Sequence, residues 1–403
     1  MSTIDIENTL GLSFSDRLEL AFTHGEGSYV WDETGKAYLD FTSGWGVTCM
    51  GHSHQVITRA ISEQAQKIIQ SPNAGFTYSP ARAALLTQLS KVLPANLDKT
   101  FFCSSGAEAN DAALKLARKC TGRTKVISTR GAFHGRTFNT LSVSRGTDNT
   151  GRYIPVMPST CFVPYGDIQA LEAEMDASCA AVIVEPIQGE GGVQIPPDGY
   201  PSGVQKLCNQ HGAFFIVDEI QTGFCRTGKF FALQHGEAEI RPDILTMGKG
   251  IAGGFPFAAF AVSTAIADRF NKDDHGGTYC GNPLGCAVAT AVVGFLNEQK
   301  IADQVAKSGA YLLEQLQAVL RNYPALIRCV RARGLLCALE FHNPALTRAF
   351  TLSCAEHGLL VVPTRNGIVR LLPDLLVTQK DISKAVGILD TVCKTIQEVA
   401  AAA

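Results

Sequence analysis

The chain has 403 residues, 46% of them hydrophobic and 18% charged, which is more than one core organises well, so two packed lobes are expected. A formal net charge of -2 with no basic run offers no general attraction to nucleic acid or to an anionic membrane, and no unbroken apolar stretch reaches the length of a membrane span. The 13 cysteines form no C-x-x-C pair and lie in apolar settings such as "FFCSSG" and "LLCALEF", which points to free buried thiols in a reducing cytoplasm.

The opening "MSTIDIENTL" carries acids where a signal peptide would carry lysine or arginine, in keeping with a cytoplasmic protein. Residues 1–53 read as an N-terminal segment, in which "GSYVWDETGKAYLDF" alternates apolar and polar residues around "DETG" and predicts a β-hairpin. His52 and His54 could be metal ligands, but no second Cys/His cluster completes a tetrahedral set, so hydrogen-bonded loop histidines are expected. Residues 54–299 read as a large domain: "KTFFC", "TKVIS", "AAVIVEP", "AFFIVDE", "DILTM" and "FAAFAV" are short apolar strands alternating with helices, the pattern of an α/β fold with a mostly parallel sheet covered on both faces. In one helix Ala109, Ala112, Ala113, Leu116, Ala117 and Cys120 recur with helical spacing directly after Ser104, Ser105 and Gly106. Residues 300–403 offer a long amphipathic helix, the strands "LIRCVRARGLLCALEF" and "GIVRLLP" and a closing helix from Lys380, a smaller α+β lobe tightly joined to the first.

Ligands of an open parallel sheet gather beyond the carboxyl ends of its strands. After "KTFFC", Ser104, Ser105, Gly106 and the amide of Ala107 open a helix; they suit one phosphate, and equally an ordinary serine cap with Glu108 in the first turn. After "TKVIS", Phe133 and His134 are flat groups able to stack on a ring or to serve as core, and Arg136 has the fork for a carboxylate or stands as a surface charge. After "AFFIV", Asp218 is a carboxylate ending a buried strand, which asks for a cation, either a protonated ring nitrogen or an arginine such as Arg226. After "DILTM" comes "GKGIAGGFP", where Gly248, Gly250 and Gly253 spell G-x-G-x-x-G with Asp268 downstream, yet Gly254 and Pro256 forbid the helix a dinucleotide would need. Lys249, desolvated on flexible backbone, is then an amine free to attack a carbonyl. Phosphate site, stacking ring, buried carboxylate and desolvated lysine together describe a pyridoxal phosphate pocket.

"SGAEAND", "GAFHGRT", "EPIQGEGG", "VDEIQTGFCRTG", "GKGIAGGFP", "GGTYCGNPLGCA" and "VRLLPDLLV" resemble, in order and along nearly the whole chain, the class III aminotransferases of pyridoxal phosphate fold type I, closest to the acetylornithine and ornithine enzymes. That resemblance implies a homodimer with shared active sites that transfers the terminal amine of an N-acetylornithine-like donor to 2-oxoglutarate. It makes Lys249 the Schiff-base lysine, Asp218 the partner of the pyridine nitrogen, Gln221 a neighbour of the ring hydroxyl and Phe133 the stacking residue. Ser105, Gly106 and Ala107 become the phosphate cup, with Thr278 reaching the phosphate of the other subunit. Arg136 becomes a carboxylate anchor, Arg370 the arginine for glutamate, and Glu190 the acid that neutralises it. Three positions depart from the pattern: Trp45 lines the pocket where acetylornithine enzymes carry a small aliphatic residue and ornithine enzymes a tyrosine, Gly277 replaces a serine, and Asp374 replaces a proline. A broader ω-amino acid or diamine aminotransferase, a lyase or aminomutase on the same fold, and a non-catalytic scaffold are the alternatives; Lys249 and Asp218 speak against the last.

Overall fold

The alternation around "DETG" does what its period requires. In the computed structural model, which describes residues 1–72, 75–144, 159–236 and 239–402, β1 (Phe22–Glu26), β2 (Tyr29–Asp32) and β3 (Ala37–Asp40) form an antiparallel meander, one strand longer than the expected hairpin. Asp32 Oδ1 closes the β2–β3 turn by accepting from the N–H groups of Thr34 at 2.9 Å and Lys36 at 3.0 Å, the local bonding that makes Asp a turn residue.

The apolar runs that follow become β4 (Lys99–Cys103), β5 (Lys125–Thr129), β6 (Thr160–Val163), β7 (Cys179–Val184), β8 (Phe214–Asp218), β9 (Ile244–Met247) and β10 (Ala258–Val262). They form one sheet in the order β4-β10-β9-β8-β7-β5-β6, parallel from β9 to β6, with β10 antiparallel to both β9 and β4. Every residue of β7 to β10 is buried, which is why these strands read as continuous apolar runs and not as alternations. The helix Gly106–Thr121 lays Ala109, Ala112, Ala113, Leu116 and Ala117 against the sheet and stops at Gly122, whose φ of 68° is left-handed. Burying a side chain such as Leu116 stabilises the contact by about 1.5–3 kcal/mol, and the alanines let the helix sit close.

The C-terminal residues add β11 (Ile327–Arg333), β12 (Leu336–Phe341), β13 (Leu359–Leu360), β14 (Val362–Pro363) and β15 (Ile368–Leu371). Four of them make an antiparallel sheet in the order β11-β12-β15-β14, while β13 pairs in parallel with β3 and so ties the N-terminal meander to this end of the chain. The long helices Ile301–Asn322 and Gln379–Ala402 pack against each other. The sequence reading did not anticipate β6, or the helices Thr3–Leu10 and Leu346–Glu356. Among the described residues no helix is long and apolar enough to cross a membrane.

Candidate active site

Chain order reverses between β5 and β7, and the loops leaving β4, β5, β8 and β9 touch one another through Gly106, Gly135, Ile220 and Gly248. At the first, Ser105 caps the Gly106 helix: its hydroxyl accepts the Glu108 N–H at 3.2 Å, and Glu108 Oε2 accepts the Ser104 N–H at 2.7 Å. The cap is thus real, and it still leaves the N–H groups of Gly106 and Ala107 at a helix start, directed at any anion there. The neighbouring loops close in tightly. A Cβ on Gly106 would lie 2.8 Å from Ile220 Cδ1, and one on Gly135 would lie 2.7 Å from Ala107 Cβ.

Asp218, 3% exposed at the end of β8, is not paired with Arg226 as one alternative had it. Arg226 is spent on the carbonyls of Leu335 and Pro373. The carboxylate is instead held by three donors: Asn110 Nδ2 and His134 Nδ1 reach Oδ2, each at 2.7 Å, and the Ile220 N–H reaches Oδ1 at 2.9 Å. His134 therefore supports Asp218 and is not a stacking group; its Nε2 is buried with no protein partner among the described residues. Asn110, which the sequence did not single out, is the hub here. It donates also to the His134 carbonyl at 2.8 Å, and its Oδ1 accepts the Thr246 hydroxyl of β9 at 2.7 Å. Phe133 is half-buried and donates its N–H to Glu185 Oε2 at 3.1 Å, while Arg136 is exposed with its guanidinium 5.9 Å from the Phe133 ring centre. Glu185, a second buried carboxylate just past β7, is pushed up to about 7 by desolvation, with Asp218 adding to the rise.

Lys249 follows β9 with a φ of 42°, left-handed for a residue that bears a side chain, and begins a 3₁₀ turn, Lys249–Ala252. Such backbone is strained and is found where a side chain must point one way. The glycines serve that turn: Gly253 and Gly254 have φ of 57° and 127°, and the chain goes straight on into β10, so no helix exists to face a pyrophosphate. Desolvation brings the ammonium down to about 8, against a smaller opposing pull from Glu190.

On the other side, Arg370 of β15 is fully buried, its Nη2 2.6 Å from Glu190 Oε1 and its Nη1 donating to Gln221 Oε1 at 3.1 Å. Gln221 Nε2 donates in turn to the Trp45 carbonyl at 3.3 Å. Trp45 belongs to a left-handed turn, Ser43 to Gly46, with φ of 42°, 56°, 62° and 82°, which Asp40 Oδ1 braces through the N–H groups of Thr42 and Ser43 at 2.8 and 3.1 Å. Its indole is 58% exposed. His52 pairs with Asp40 at 2.8 Å, and His54 Nδ1 accepts the Val56 N–H at 3.3 Å, so both are bonded loop histidines.

Ser105, Gly106, Ala107, Phe133, Asp218, Gln221, Lys249, Glu190, Arg370 and Trp45 thus belong to one connected region, with Arg136 exposed at its edge. Thr278 stands on an exposed loop where its carbonyl accepts from Gln70 at 2.6 Å, and a Cβ on the adjacent Gly277 would lie 3.3 Å from Glu108 Oε1. Asp374 is buried and accepts the Ser28 hydroxyl at 2.5 Å, so the acid in place of proline anchors the N-terminal meander.

Residues 13–393 match the family described as aminotransferase class-III. The chain is 38% identical over 387 residues to an acetylornithine aminotransferase of Methanothermobacter thermautotrophicus, covering 96% of this chain and 97% of that one. It is 39% identical to the acetylornithine aminotransferase of Bacillus cereus, over 94% of this chain and 96% of that one. The crystal structure of the ornithine aminotransferase of Toxoplasma gondii superposes with a TM-score of 0.92 at 32% identity, covering 98% of this chain and 95% of that one.

Proposed function

The chain belongs to the class III aminotransferases and uses pyridoxal 5'-phosphate, and from that premise we propose that it moves the terminal amine of an N-acetylornithine-like donor to 2-oxoglutarate, giving a semialdehyde and glutamate. The residues present fit the cofactor: a helix start with two N–H groups left over, a buried carboxylate braced by three donors, and a half-buried lysine whose ammonium desolvation brings down to about 8. Bound there, the cofactor supplies an electron-withdrawing ring that stabilises negative charge on the substrate carbon.

We assign Ser105, Gly106 and Ala107 to its phosphate, Phe133 to the ring face, Asp218 to the ring nitrogen, Gln221 to the ring hydroxyl and Lys249 to the aldehyde carbon. Thr278 is assigned to the phosphate of a second copy of the chain, which makes the working unit a homodimer, and Gly277 to the loop that presents it. Lys249 Nζ, neutral in a good fraction of molecules near pH 8 because desolvation disfavours its charge, would take the proton from the amine-bearing carbon and give it to the carbon that was the cofactor's aldehyde carbon. Asn110 and His134 hold Asp218 so that its charge needs no rearrangement as the substrate carbon develops its own. In this assignment residues 54–299 hold the cofactor, and the segments 1–53 and 300–403 bring Trp45 and Arg370 to the substrate. The whole operates in the cytoplasm.

The observation that carries the substrate class is the Glu190–Arg370 pair, 2.6 Å apart with Arg370 fully buried. Glutamate brings an α-carboxylate beside the reacting carbon, which Arg370 can take bidentately, with Arg136 for the distal carboxylate. An ω-amine donor has no carboxylate at that point, and Glu190 then neutralises the guanidinium that would otherwise face methylenes. A lyase would need no such exchange. Trp45, large and exposed, with its carbonyl bonded to Gln221, favours a second reading in which the donor is shorter: ornithine, an ω-amino acid or a diamine. A panel of N-acetylornithine, N-succinylornithine, ornithine, 4-aminobutyrate and putrescine against 2-oxoglutarate and pyruvate, scored as glutamate or alanine formed, decides between them. Highest kcat/KM for the acylated ornithines with 2-oxoglutarate is expected; preference for a diamine or for pyruvate would refute the assignment.

A further inference from the structure

Arg331 of β11 has no part in the assignments above, yet its guanidinium is the point where the C-terminal sheet grips the loop carrying Glu190. Its Nε donates to the Gly192 carbonyl at 2.9 Å. Its Nη1 lies 2.6 Å from Glu340 Oε2 and 2.9 Å from Cys329 Sγ. Nη2 is buried with no protein partner among the described residues. Gly192 stands two residues beyond Glu190 in a short loop that is closed at its base by Gln188 and Gln194, which exchange backbone bonds of 3.0 and 3.1 Å.

That loop is held on both flanks. On the side of the large sheet, Gln188 Nε2 donates to Thr129 Oγ1 and the Arg130 carbonyl, each at 2.9 Å. On the other, Gly192 has a φ of 95° and no room for a side chain, since a Cβ would lie 2.2 Å from Ile368 Cδ1. Ile368 lies on β15 two residues before Arg370 and pairs across the ladder with Glu340, the anchor of Arg331. Both members of the Glu190–Arg370 pair therefore take their position from one sheet: Arg370 by belonging to β15, Glu190 through the backbone of Gly192.

We propose that Arg331 is a positioning residue for the Glu190–Arg370 pair, holding the loop backbone still so that the pair opens by rotation of the Glu190 side chain alone. This rests on the exchange of partners proposed above. With Arg331 removed, the loop keeps its Gln188 tether but on the opposite flank retains only the packing of Gly192 against Ile368, and Glu190 drifts from Arg370. A substrate carboxylate then meets a more available guanidinium, whereas an ω-amine donor meets one that is no longer neutralised.

The test uses the holoenzyme in single-turnover half-reactions, with glutamate and with N-acetylornithine as probes, for Arg331→Met, Glu190→Gln and the double variant. Methionine keeps the apolar stem and drops the fork; Arg331→Lys, which retains the ion pair with Glu340 but not the bond to Gly192, serves should the methionine variant fold poorly. The acylornithine half should slow by about tenfold, the order expected for one charge-assisted hydrogen bond, with the glutamate half changed by about twofold or less. In the Glu190→Gln background, loss of Arg331 should add nothing, because it acts through Glu190. Equal slowing of both halves by Arg331→Met and Arg331→Lys, or additive losses in the double variant, would overturn the proposal in favour of a merely structural arginine. A Glu190→Gln variant that slows both halves alike would overturn the partner exchange itself and this proposal with it, whereas a discriminating Glu190→Gln beside an indiscriminate Arg331 variant refutes the Arg331 role alone.

Discussion

Asp218→Asn removes a charge and also turns an acceptor into a donor where three donors converge. Asparagine has one oxygen. If that oxygen keeps the Ile220 N–H, bonded at 2.9 Å in the native protein, the new amide NH2 faces Asn110 Nδ2 and His134 Nδ1, both 2.7 Å from the oxygen it replaces. His134 can adapt by carrying its proton on Nε2 instead. Asn110 cannot turn over, because its oxygen serves Thr246 at 2.7 Å and its nitrogen serves the His134 carbonyl at 2.8 Å. At least one buried donor is left facing another, which costs about 1–3 kcal/mol, and the charge-assisted bonds lost bring the expected destabilisation to about 2–5 kcal/mol. Catalysis should fall further, on the order of 10³-fold or more, or about 4 kcal/mol, as for removal of a preorganised charge.

Denaturant unfolding of the cofactor-free variant measures the first quantity, and single-turnover half-reactions of the loaded enzyme measure the second. A third readout follows from Glu185, which desolvation pushes up with a smaller contribution from Asp218: in the variant its titration should move down modestly, the desolvation remaining, and shift the pH dependence of stability slightly to lower pH. Near-normal transamination by Asp218→Asn would show that the ring nitrogen lies elsewhere.

In cofactor-free protein, burial should make Lys249 acylable through a midpoint of about 8 and not near its ordinary 10.5; mass-spectrometric mapping against pH reads this, Lys249→Ala should lack both the adduct and turnover, and a midpoint above about 10 would refute the desolvated amine. Glu185 has a folded value of about 7 against an ordinary 4.5, so its contribution to stability is fully present below about 4.5 and is lost as pH rises through about 7. Both Glu185 oxygens accept backbone N–H groups, from Phe133 at 3.1 Å and Gly189 at 3.2 Å, so Glu185→Gln should be less stable than the native protein near pH 5 by about 1–3 kcal/mol, because its amide nitrogen must face one of those donors. Between pH 5 and pH 8 the variant should gain about 2–3 kcal/mol on the native protein, read from denaturant unfolding at the two pH values; a difference that does not change with pH would refute this. Glu219, also buried and pushed up to about 7, should keep part of the slope in that variant.

What could be read from the chain beforehand follows from which signals are local. The six strands quoted from the large domain were legible because each is a continuous apolar run ending at a turn, whereas β6, "TCFV", is only four residues at the sheet edge and carries no distinguishing period. The desolvation argument that found Asp218 at the end of "AFFIV" applies equally to Glu185 at the end of "AAVIV", and would have found it. Asn110 had a weaker signal, an amide beside an alanine-rich buried helix face. His134 was visible as a flat group, but its role depends on a carboxylate 84 residues away in the chain, and no spacing rule reaches that far. Arg331 was hidden altogether. "RCVRAR" on a hairpin looks like a solvated face until Gly192 is seen lying against it.

Gln221 shows why the two ends of the site need not be independent. Its carbonyl oxygen accepts from Arg370 and its amide nitrogen donates to the Trp45 carbonyl, a pairing for which an amide, carrying an uncharged acceptor and donor on one planar group, is suited. A glutamate there would turn an acceptor toward the Trp45 carbonyl and place a second carboxylate on Arg370, competing with Glu190. Gly189 gives the amide its room, since a Cβ at that position would fall 1.6 Å from Gln221 Oε1. The residue that must be glycine for the amide to lie flat is therefore the neighbour of Glu190, and Gln221 is three residues from Asp218. In the proposed exchange, when Glu190 releases Arg370 to a substrate carboxylate the acceptor that stays with the guanidinium is this amide, so the arginine is not left as a bare buried charge between partners. On the proposed assignments the same contact would pass any displacement of Arg370 to the group at the cofactor's ring hydroxyl, coupling recognition of the substrate carboxylate to the seating of the ring.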